Sequence, residues 1–304
     1  MKLEPRRRNN RMSLLSRTHL AWLVLFASVC LGAIEVSPYQ QSVEEWRKAY
    51  EAQLKAEDGW LTVSALLWLH EGENSFGSDS SNAIVLPYSY VPAKAGYFDF
   101  HAGKTVIHVN PGVPITLGGK PVESMELHPD SKVERLSIGD LVFFVHASGR
   151  RYAIRVKDKN NELRKNFKGL HWFPVNEAYR FNARFVAYPK PRKVEIKNML
   201  GDRGPTYFFG YVAFMLGGKE YRLDAEDNGS GGLFIVFRDL TSKKDTYQAA
   251  RFLDADPPKD GKVEIDFNKA YNPPCAYNPY ATCPLPTARN RLPVEIPAGE
   301  KRYH

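Results

Sequence analysis

The chain of 304 residues is long enough for one large domain or two ordinary ones, and its 43% hydrophobic and 25% charged residues are typical of a globular protein. The formal net charge is +8, but residues 1–33 hold six basic residues and one acid, which leaves 36 basic and 33 acidic residues, or +3, for residues 34–304. Because binding to nucleic acid requires a dense basic surface, this distribution argues against a nucleic-acid partner.

Residues 1–33 have the features of a signal peptide. A basic segment precedes the apolar run Leu20–Ala33, which is short for a transmembrane helix and typical of the apolar region of a leader. Gly32 and Ala33 supply small residues for cleavage. We therefore expect export to the periplasm or the exterior. A retained anchor, or lipidation at Cys30, is the alternative, and this leader is then the one expected contact with a membrane.

Residues 34–71 are predicted to form a helix and a connector. Ser42 is a candidate N-cap, and Glu45 follows three residues later in the arrangement of a capping box. The helix is expected to end near Gly59, and the apolar run 62–69 follows it as a short strand or helix. One apolar face is indicated by residues at helical spacing, namely Val43, Trp46, Tyr50 and Leu54.

Residues 72–165 alternate short apolar runs with Gly, Pro and Asn turns. Turn signals about 8 to 12 residues apart are typical of a β-sandwich. The pair Gly118-Gly119 indicates a tight turn between two of the strands. We therefore predict a β-sandwich for this part of the chain.

The stretch Phe76–Pro87, FGSDSSNAIVLP, is similar to the opening of a forkhead-associated (FHA) domain, where a Gly-Arg pair precedes an Asn-x-Ile-x-Leu strand. The resemblance implies an FHA-like sandwich. Ser78 stands at the position of the arginine, and no Ser-x-x-His motif follows. Because a phosphate dianion needs charge-assisted donors of this kind, we expect the fold without phosphopeptide binding.

Residues 166–304 are predicted to form a second domain, and the polar and aromatic stretch Asn161–Arg180 supplies the boundary. Seven apolar runs follow between short turns, which indicates an antiparallel sheet that curls into a barrel. The segment Asp266–Pro286, here called the strap, holds five prolines and two cysteines. Because proline cannot donate to a sheet ladder, we expect the strap to follow an extended path across one end of the barrel.

A second resemblance covers residues 59–304. The chain is similar to a bacterial family described as domain of unknown function 1684 (DUF1684), a resemblance that implies two linked β-rich parts and no particular activity. Four blocks of sequence carry it, namely Gly59–Pro87, Phe237–Asp256, the strap and Asn290–His304.

Cys275 and Cys283 are predicted to form a disulfide, because export places them in an oxidising compartment and they close a short loop. Such a bridge stabilises by about 2.5 kcal/mol on the loop-entropy relation. Free thiols, a zinc site and a catalytic thiolate are the alternatives. Further metal ligands are missing near the pair, so we expect no metal and no cofactor.

A ligand site is predicted on the final two strands and the strap. Residues at period two on a strand share a face, so antiparallel pairing of these strands would set Tyr247 and Arg251 opposite Asp266 and Asn268. An Arg251–Asp266 ion pair without a ligand is the structural alternative. The predicted site comprises Tyr247, Arg251, Asp266, Asn268, Tyr271 and Asn272.

These observations predict an exported, non-catalytic protein that binds a small polar or amphiphilic molecule in its C-terminal β domain. One alternative is an exported hydrolase in which Asp266 acts as general base and Arg251 sets its pKa. The other is a structural adapter of the cell envelope with a filled barrel. The sequence does not indicate the ligand or an oligomeric state.

Overall fold

The computed structural model describes Met1, residues 36–129 and residues 133–303. The predicted signal peptide, apart from Met1, lies outside the described residues. The chain is mainly β, with 44% strand and 15% helix, which confirms the predicted fold class. Its contacts define two units, Met1–Ser42 and Val43–His304, and every strand lies in the second. Among the described residues, no helix is long and apolar enough to cross a membrane.

The N-terminal helix α1 spans Pro38–Leu54 and begins earlier than the predicted capping box. The Ser37 hydroxyl oxygen accepts the amide of Gln40 at 3.1 Å, and Pro38 occupies the first turn, where its missing N–H has no helical partner to lose. Ser42 instead lies inside the helix and donates to the carbonyl oxygen of Tyr39. The predicted cap at Ser42 is therefore wrong.

Residues 63–158 supply two sheets. One has the strand order β1-β11-β10-β9-β6-β7 and the other β3-β2-β4-β5-β8, and every pairing is antiparallel except β2 with β3. The strands are β1 Val63–Trp68, β2 Gly72–Gly77, β3 Ile84–Val85, β4 Gly96–His101, β5 Lys104–Val109, β6 Thr116–Leu117, β7 Lys120–Pro121, β8 Ser124–Leu127, β9 Leu136–Ile138, β10 Leu141–Ser148 and β11 Arg151–Asp158.

The two sheets share one hydrophobic core, as a β-sandwich requires. The ring of Phe98 on β4 lies 4.8 Å from that of Phe76 on β2 and 6.3 Å from that of Phe143 on β10 in the facing sheet. Strand β1, which the sequence places in the connector, pairs with β11 and so belongs to the sandwich.

The C-terminal sheet has the order β16-β15-β14-β13-β12-β17. It is preceded by a connector with a single helical turn, α2, Glu162–Lys165. Its strands are β12 Arg180–Lys197, β13 Arg203–Leu216, β14 Lys219–Asp227, β15 Leu233–Phe237, β16 Arg251–Ala255 and β17 Lys262–Asp266. The first two of the seven predicted apolar runs, residues 180–188 and 194–199, thus lie largely in one strand, β12. Its pairing with β13 is interrupted between Ala187 and Arg192, where Pro189 and Pro191 cannot donate to the ladder.

The C-terminal sheet curls into a half-barrel. Its two edge strands, β16 and β17, approach until Cα atoms lie within 8 Å, although they are not hydrogen-bonded neighbours. The interior is packed with aromatic rings, because the Phe267 ring lies 5.3 Å from those of both Phe214 and Phe237. Leu292 and Ile296 of the C-terminal tail complete this core.

Candidate functional site

Arg251 lies in the core of the half-barrel. Its side chain is fully buried, and its guanidinium donates to the Asp239 carboxylate at 3.1 Å and to the carbonyl oxygens of Ile296 and Ala298. The predicted pairing with Asp266 is wrong because β16 and β17 are at opposite ends of the strand order, where β16 pairs with β15 and β17 with β12.

Asp266 and Asn268 fix the turn at the end of β17. The Asp266 carboxylate accepts the backbone amide and the side-chain amide of Asn268, both at 3.0 Å. The Asn268 side chain accepts the amide of Asn176 at 2.9 Å and donates to its carbonyl oxygen at 2.9 Å. Both residues are buried, and these bonds tie the strap to the connector that precedes β12.

Asn272 binds a carboxyl group that the sequence did not single out. Its amide and its side chain donate to the two oxygens of Glu300 at 2.8 and 2.7 Å, and the Tyr277 hydroxyl donates to the same carboxyl at 2.5 Å. Glu300 is only 1% exposed, and this burial raises the pKa of Glu300 to about 7. The C-terminal tail is thereby locked onto the strap.

The two cysteines of the strap are free thiols, so the predicted disulfide is not formed. The two sulfurs are not at disulfide distance. The Cys275 amide donates to the Cys283 sulfur at 3.3 Å, and the two thiols are hydrogen-bonded to each other. This hydrogen bond lowers the pKa of Cys275 and raises the pKa of Cys283. Tyr247 lies beside the pair, and its hydroxyl donates to the Cys275 carbonyl at 3.1 Å.

A cavity of about 760 Å³ lies outside the half-barrel. Its wall is built from α1, the turn at residues 58–60, sandwich strands β10 and β11, half-barrel strands β15 and β16, and the strap. All six predicted ligand-site residues are within the described part of the chain, and of these only Tyr271 lines the cavity.

Aromatic side chains form much of the cavity wall. The rings of Trp46 and Tyr50 stack on α1 with centroids 5.5 Å apart, and Tyr50 lies 4.8 Å from Tyr271 of the strap. The Tyr271 ring then meets Phe252 on β16 at 5.9 Å, and Phe252 meets Phe234 on β15 at 4.9 Å. One continuous apolar surface therefore runs from the helix to the half-barrel, and both Trp46 and Tyr50 lie on the predicted apolar face.

The sandwich contributes a buried cation and an imidazole. Arg155 on β11 is 6% exposed, and its guanidinium lies 5.3 Å from the centre of the Trp60 ring. It donates to the Thr282 hydroxyl oxygen at 3.3 Å, and the Thr282 hydroxyl lies 2.9 Å from Nε2 of His146. Burial and the charge of Arg155 lower the pKa of His146 to about 4, so the imidazole is neutral at neutral pH.

Acidic residues line the more exposed part of the cavity. Asp58 and Asp254 are both exposed, and the Tyr271 hydroxyl donates to the Asp254 carboxylate at 2.6 Å. Lys269 of the strap is a second, half-buried cation in the wall. Over the described residues, no group of three or more His, Cys, Asp or Glu side chains is placed to hold a metal ion.

Sequence reasoning missed most of this site because its residues come from separate elements. His146 and Arg155 lie on neighbouring strands of the sandwich, more than a hundred residues before the strap that they contact. Within its strand, Arg155 interrupts the short apolar run from Ala153 to Val156, and a cation in such a run is the one sequence signal that could have drawn attention to it.

Part of the cavity wall lies in a region that matches a known protein family. The family model DUF1684, described as a protein of unknown function, matches residues 165–301. This part of the chain belongs to the DUF1684 family. The DUF1684 region comprises the half-barrel, the strap and most of the tail, and so contributes Tyr271, Phe252 and Thr282 to the cavity. Trp46 and Arg155 lie outside the matched residues. No curated protein matches the sequence.

Two solved structures are similar to parts of the chain. The solution NMR structure of an uncharacterized protein from Haloarcula marismortui is 31% identical, covers 45% of this chain and 78% of its own, and has a TM-score of 0.39. A structure from a study of phosphothreonine-dependent FHA domain interactions is 19% identical, covers 29% of this chain and 79% of its own, and has a TM-score of 0.20.

Proposed function

We propose that the chain binds a small amphiphilic molecule in the cavity between the helix, the sandwich, the half-barrel and the strap. The observation that carries this proposal is the cavity itself, whose volume of about 760 Å³ is typical of small-molecule pockets. Such pockets commonly lie between domains and combine apolar walls with a few polar groups. The proposed ligand class is the one that the sequence predicts, but the proposed site lies outside the half-barrel.

The apolar part of the ligand is proposed to lie against the aromatic surface. Trp46, Tyr50 and Phe234 are each partly exposed, so contact with a ligand would remove further apolar area from water. Burial of apolar area stabilises by roughly 25 cal/mol per Å². A flat or extended hydrocarbon body therefore matches this wall.

The polar part of the ligand is proposed to be an anion. Arg155 is buried and remains charged at any relevant pH, whereas the acids Asp58 and Asp254 lie where solvent screens them. The Thr282 hydroxyl and the half-buried Lys269 add further polar contacts. A carboxylate or similar anionic group directed toward Arg155 is thus favoured over a cationic group.

The groups in the cavity support binding more than catalysis. A threonine hydroxyl 2.9 Å from an imidazole nitrogen resembles a nucleophile and its base, but a general base must hold the proton it removes. Burial and Arg155 disfavour protonated His146, as its pKa of about 4 indicates. The hydrolase alternative based on Asp266 and Arg251 has no support from their positions, since neither lines the cavity.

The packed half-barrel is what the envelope-adapter alternative predicts, while the cavity outside it supports ligand binding. Export, whether to the periplasm or to the exterior, remains a proposal that rests on the sequence of residues 1–33.

The test is a fluorescence titration with 8-anilinonaphthalene-1-sulfonate, an anionic aromatic amphiphile. We expect saturable binding that Trp60→Ala and Arg155→Gln each weaken about tenfold, since one lost contact of about 1.4 kcal/mol has that effect. Tyr90→Ala is the matched control for Trp60, because the two side chains are similarly exposed, at 41% and 37%, and Tyr90 does not line the cavity.

Two further variants locate the binding. Lys269→Gln removes the second cation of the cavity wall, and it is expected to weaken binding several-fold. Tyr247→Phe alters a residue of the sequence-predicted site outside the cavity and is expected to have no effect. Equal affinity for all folded variants, or a loss confined to Tyr247→Phe, would contradict the proposal.

A further inference from the structure

One face of strand β13 exposes large apolar side chains. Tyr207, Phe209 and Met215 are 46%, 41% and 56% exposed. They lie at odd-numbered positions of the same strand, and alternate residues of a strand point to the same face. Eight residue steps of about 3.3 Å give the row a length of roughly 26 Å. None of the three lines the cavity of about 760 Å³.

Basic side chains flank this row on both neighbouring strands. Lys193 on β12 is directly opposite Tyr207, and its ammonium lies 6.0 Å from the ring centre. On β14, the Arg222 guanidinium lies 5.2 Å from the ring of Tyr211, the next residue of the row after Phe209. Arg184 is opposite Ala213 on the same face.

The charge balance of this face is positive. The carboxylate of Glu220 contacts both Arg184, at 3.2 Å, and Arg222, at 2.7 Å, so one acid is shared by two guanidinium groups. Farther along β12, alternation places one acid and two further bases on the face, since Lys197 pairs with Arg203. The face thus carries five basic residues, Arg184, Lys193, Lys197, Arg203 and Arg222, and three acids, Glu195, Glu220 and Asp224. Asp224 is buried and pairs with Arg192, so the exposed part of the face stays basic.

The turn that joins β12 to β13 adds aliphatic side chains. Met199 and Leu200 are 36% and 42% exposed there, between the basic residues Lys197 and Arg203. Exposed apolar residues that lie in one region and are bordered by charged residues are typical of an interaction surface, whereas single scattered ones are not.

We propose that this face, formed by β12, β13 and the adjoining edge of β14, docks on an anionic lipid surface. Aromatic rings and aliphatic side chains enter the boundary between head groups and acyl chains, while neighbouring Lys and Arg contact anionic head groups. Single-stranded nucleic acid is the less favoured partner, because bases stack on aromatic rings but gain little from Met199, Leu200 and Met215. The surface is independent of the ligand cavity.

The test is vesicle co-sedimentation of the full chain with phosphatidylcholine alone and with phosphatidylcholine mixed with phosphatidylglycerol. We expect binding to the mixed vesicles, loss of binding at high salt, and weak binding to the neutral ones. Removal of two charges with Lys193→Gln and Arg222→Gln is expected to weaken binding about 30-fold, since each surface cation contributes about 1 kcal/mol. Tyr207→Ser with Phe209→Ser is expected to weaken it several-fold.

Matched controls remove the same groups elsewhere. Lys104→Gln with Lys120→Gln deletes two exposed charges of the sandwich, and Tyr90→Ser with Leu240→Ser deletes two exposed apolar side chains. Both are expected to bind like the parent chain. The proposal is overturned if neutral vesicles bind equally well, if face and control variants lose affinity alike, or if the face variants affect only binding to single-stranded DNA.

Discussion

The buried carboxyl of Glu300 makes a specific prediction about stability and pH. Its pKa rises from 4.5 to about 7 because it is buried, while Tyr277 and Asn272 donate to it and the nearby charge of Arg251 opposes the rise. Between these two pH values the folded chain binds more protons than the unfolded chain, so the contribution of Glu300 to stability falls as pH increases. A shift of this size corresponds to about 3 kcal/mol, since one pKa unit is about 1.36 kcal/mol.

Glu300→Gln removes the titration, and urea unfolding followed by tryptophan fluorescence measures the result. The readout is the change of the unfolding free energy with pH. The side-chain amide of the glutamine would also face the N–H donors of Asn272, which lowers the free energy of unfolding itself. The free energy of unfolding of the variant, minus that of the parent, is expected to rise by about 3 kcal/mol between pH 4.5 and about pH 7. Glu295→Gln, at an exposed acid in the same tail, is expected to give no such rise.

His146 contributes with the opposite sign. Its pKa falls from 6.5 to about 4, so between these values the folded chain binds fewer protons, and its contribution to stability rises with pH. The two groups oppose each other over their shared range. His146→Gln is therefore expected to steepen the loss of stability as pH increases, by a smaller amount because His146 is partly exposed. Parallel pH curves for the parent and Glu300→Gln would refute the reasoning.

Two further substitutions test the packing of the half-barrel by urea unfolding. Asp239→Ala leaves the buried guanidinium of Arg251 without its carboxylate and is expected to cost about 4 kcal/mol, whereas Glu295→Ala removes an exposed ion pair and should cost about 0.5 kcal/mol. Gly299→Ala would place a Cβ 2.4 Å from the Ala270 carbonyl oxygen at φ +80° and should cost about 3 kcal/mol. Gly218→Ala has a similar φ but open space and should cost about 1 kcal/mol. Equal losses within either pair would contradict the packing described.

The strands were predictable because their signals are local. Alternating apolar residues and glycine turns predict the sandwich, and the run of hairpins predicts the curled C-terminal sheet. The connections between distant segments were not predictable in this way. Strand β17 pairs with β12 and not with β16, the strand that precedes it in the chain. Because of this pairing, Asp266 does not lie opposite Arg251, and Arg251 forms its ion pair with Asp239.

The candidate site shows the same division between local and distant information. Tyr271 belongs to the predicted site because proline and tyrosine residues are dense in the strap. Trp46 and Tyr50 are predicted only as part of an apolar helical face, without a role in the site. Arg155 resembled an ordinary strand residue, since nothing in its neighbourhood reveals that the strap covers it. Glu300 was missed for the same reason, because its donors Asn272 and Tyr277 lie more than twenty residues earlier in the chain.

The most direct test of the central claim is a ¹H–¹⁵N NMR titration that follows the tryptophan indole signals as 8-anilinonaphthalene-1-sulfonate is added. Trp46 and Trp60 line the cavity, whereas Trp68 lies on β1 and contacts Arg151 on the sandwich. We predict that the signals of Trp46 and Trp60 shift together and saturate, and that the signal of Trp68 stays in place. Shifts confined to Trp68, or no shift at Trp46 and Trp60 at saturation, would contradict a binding site in this cavity.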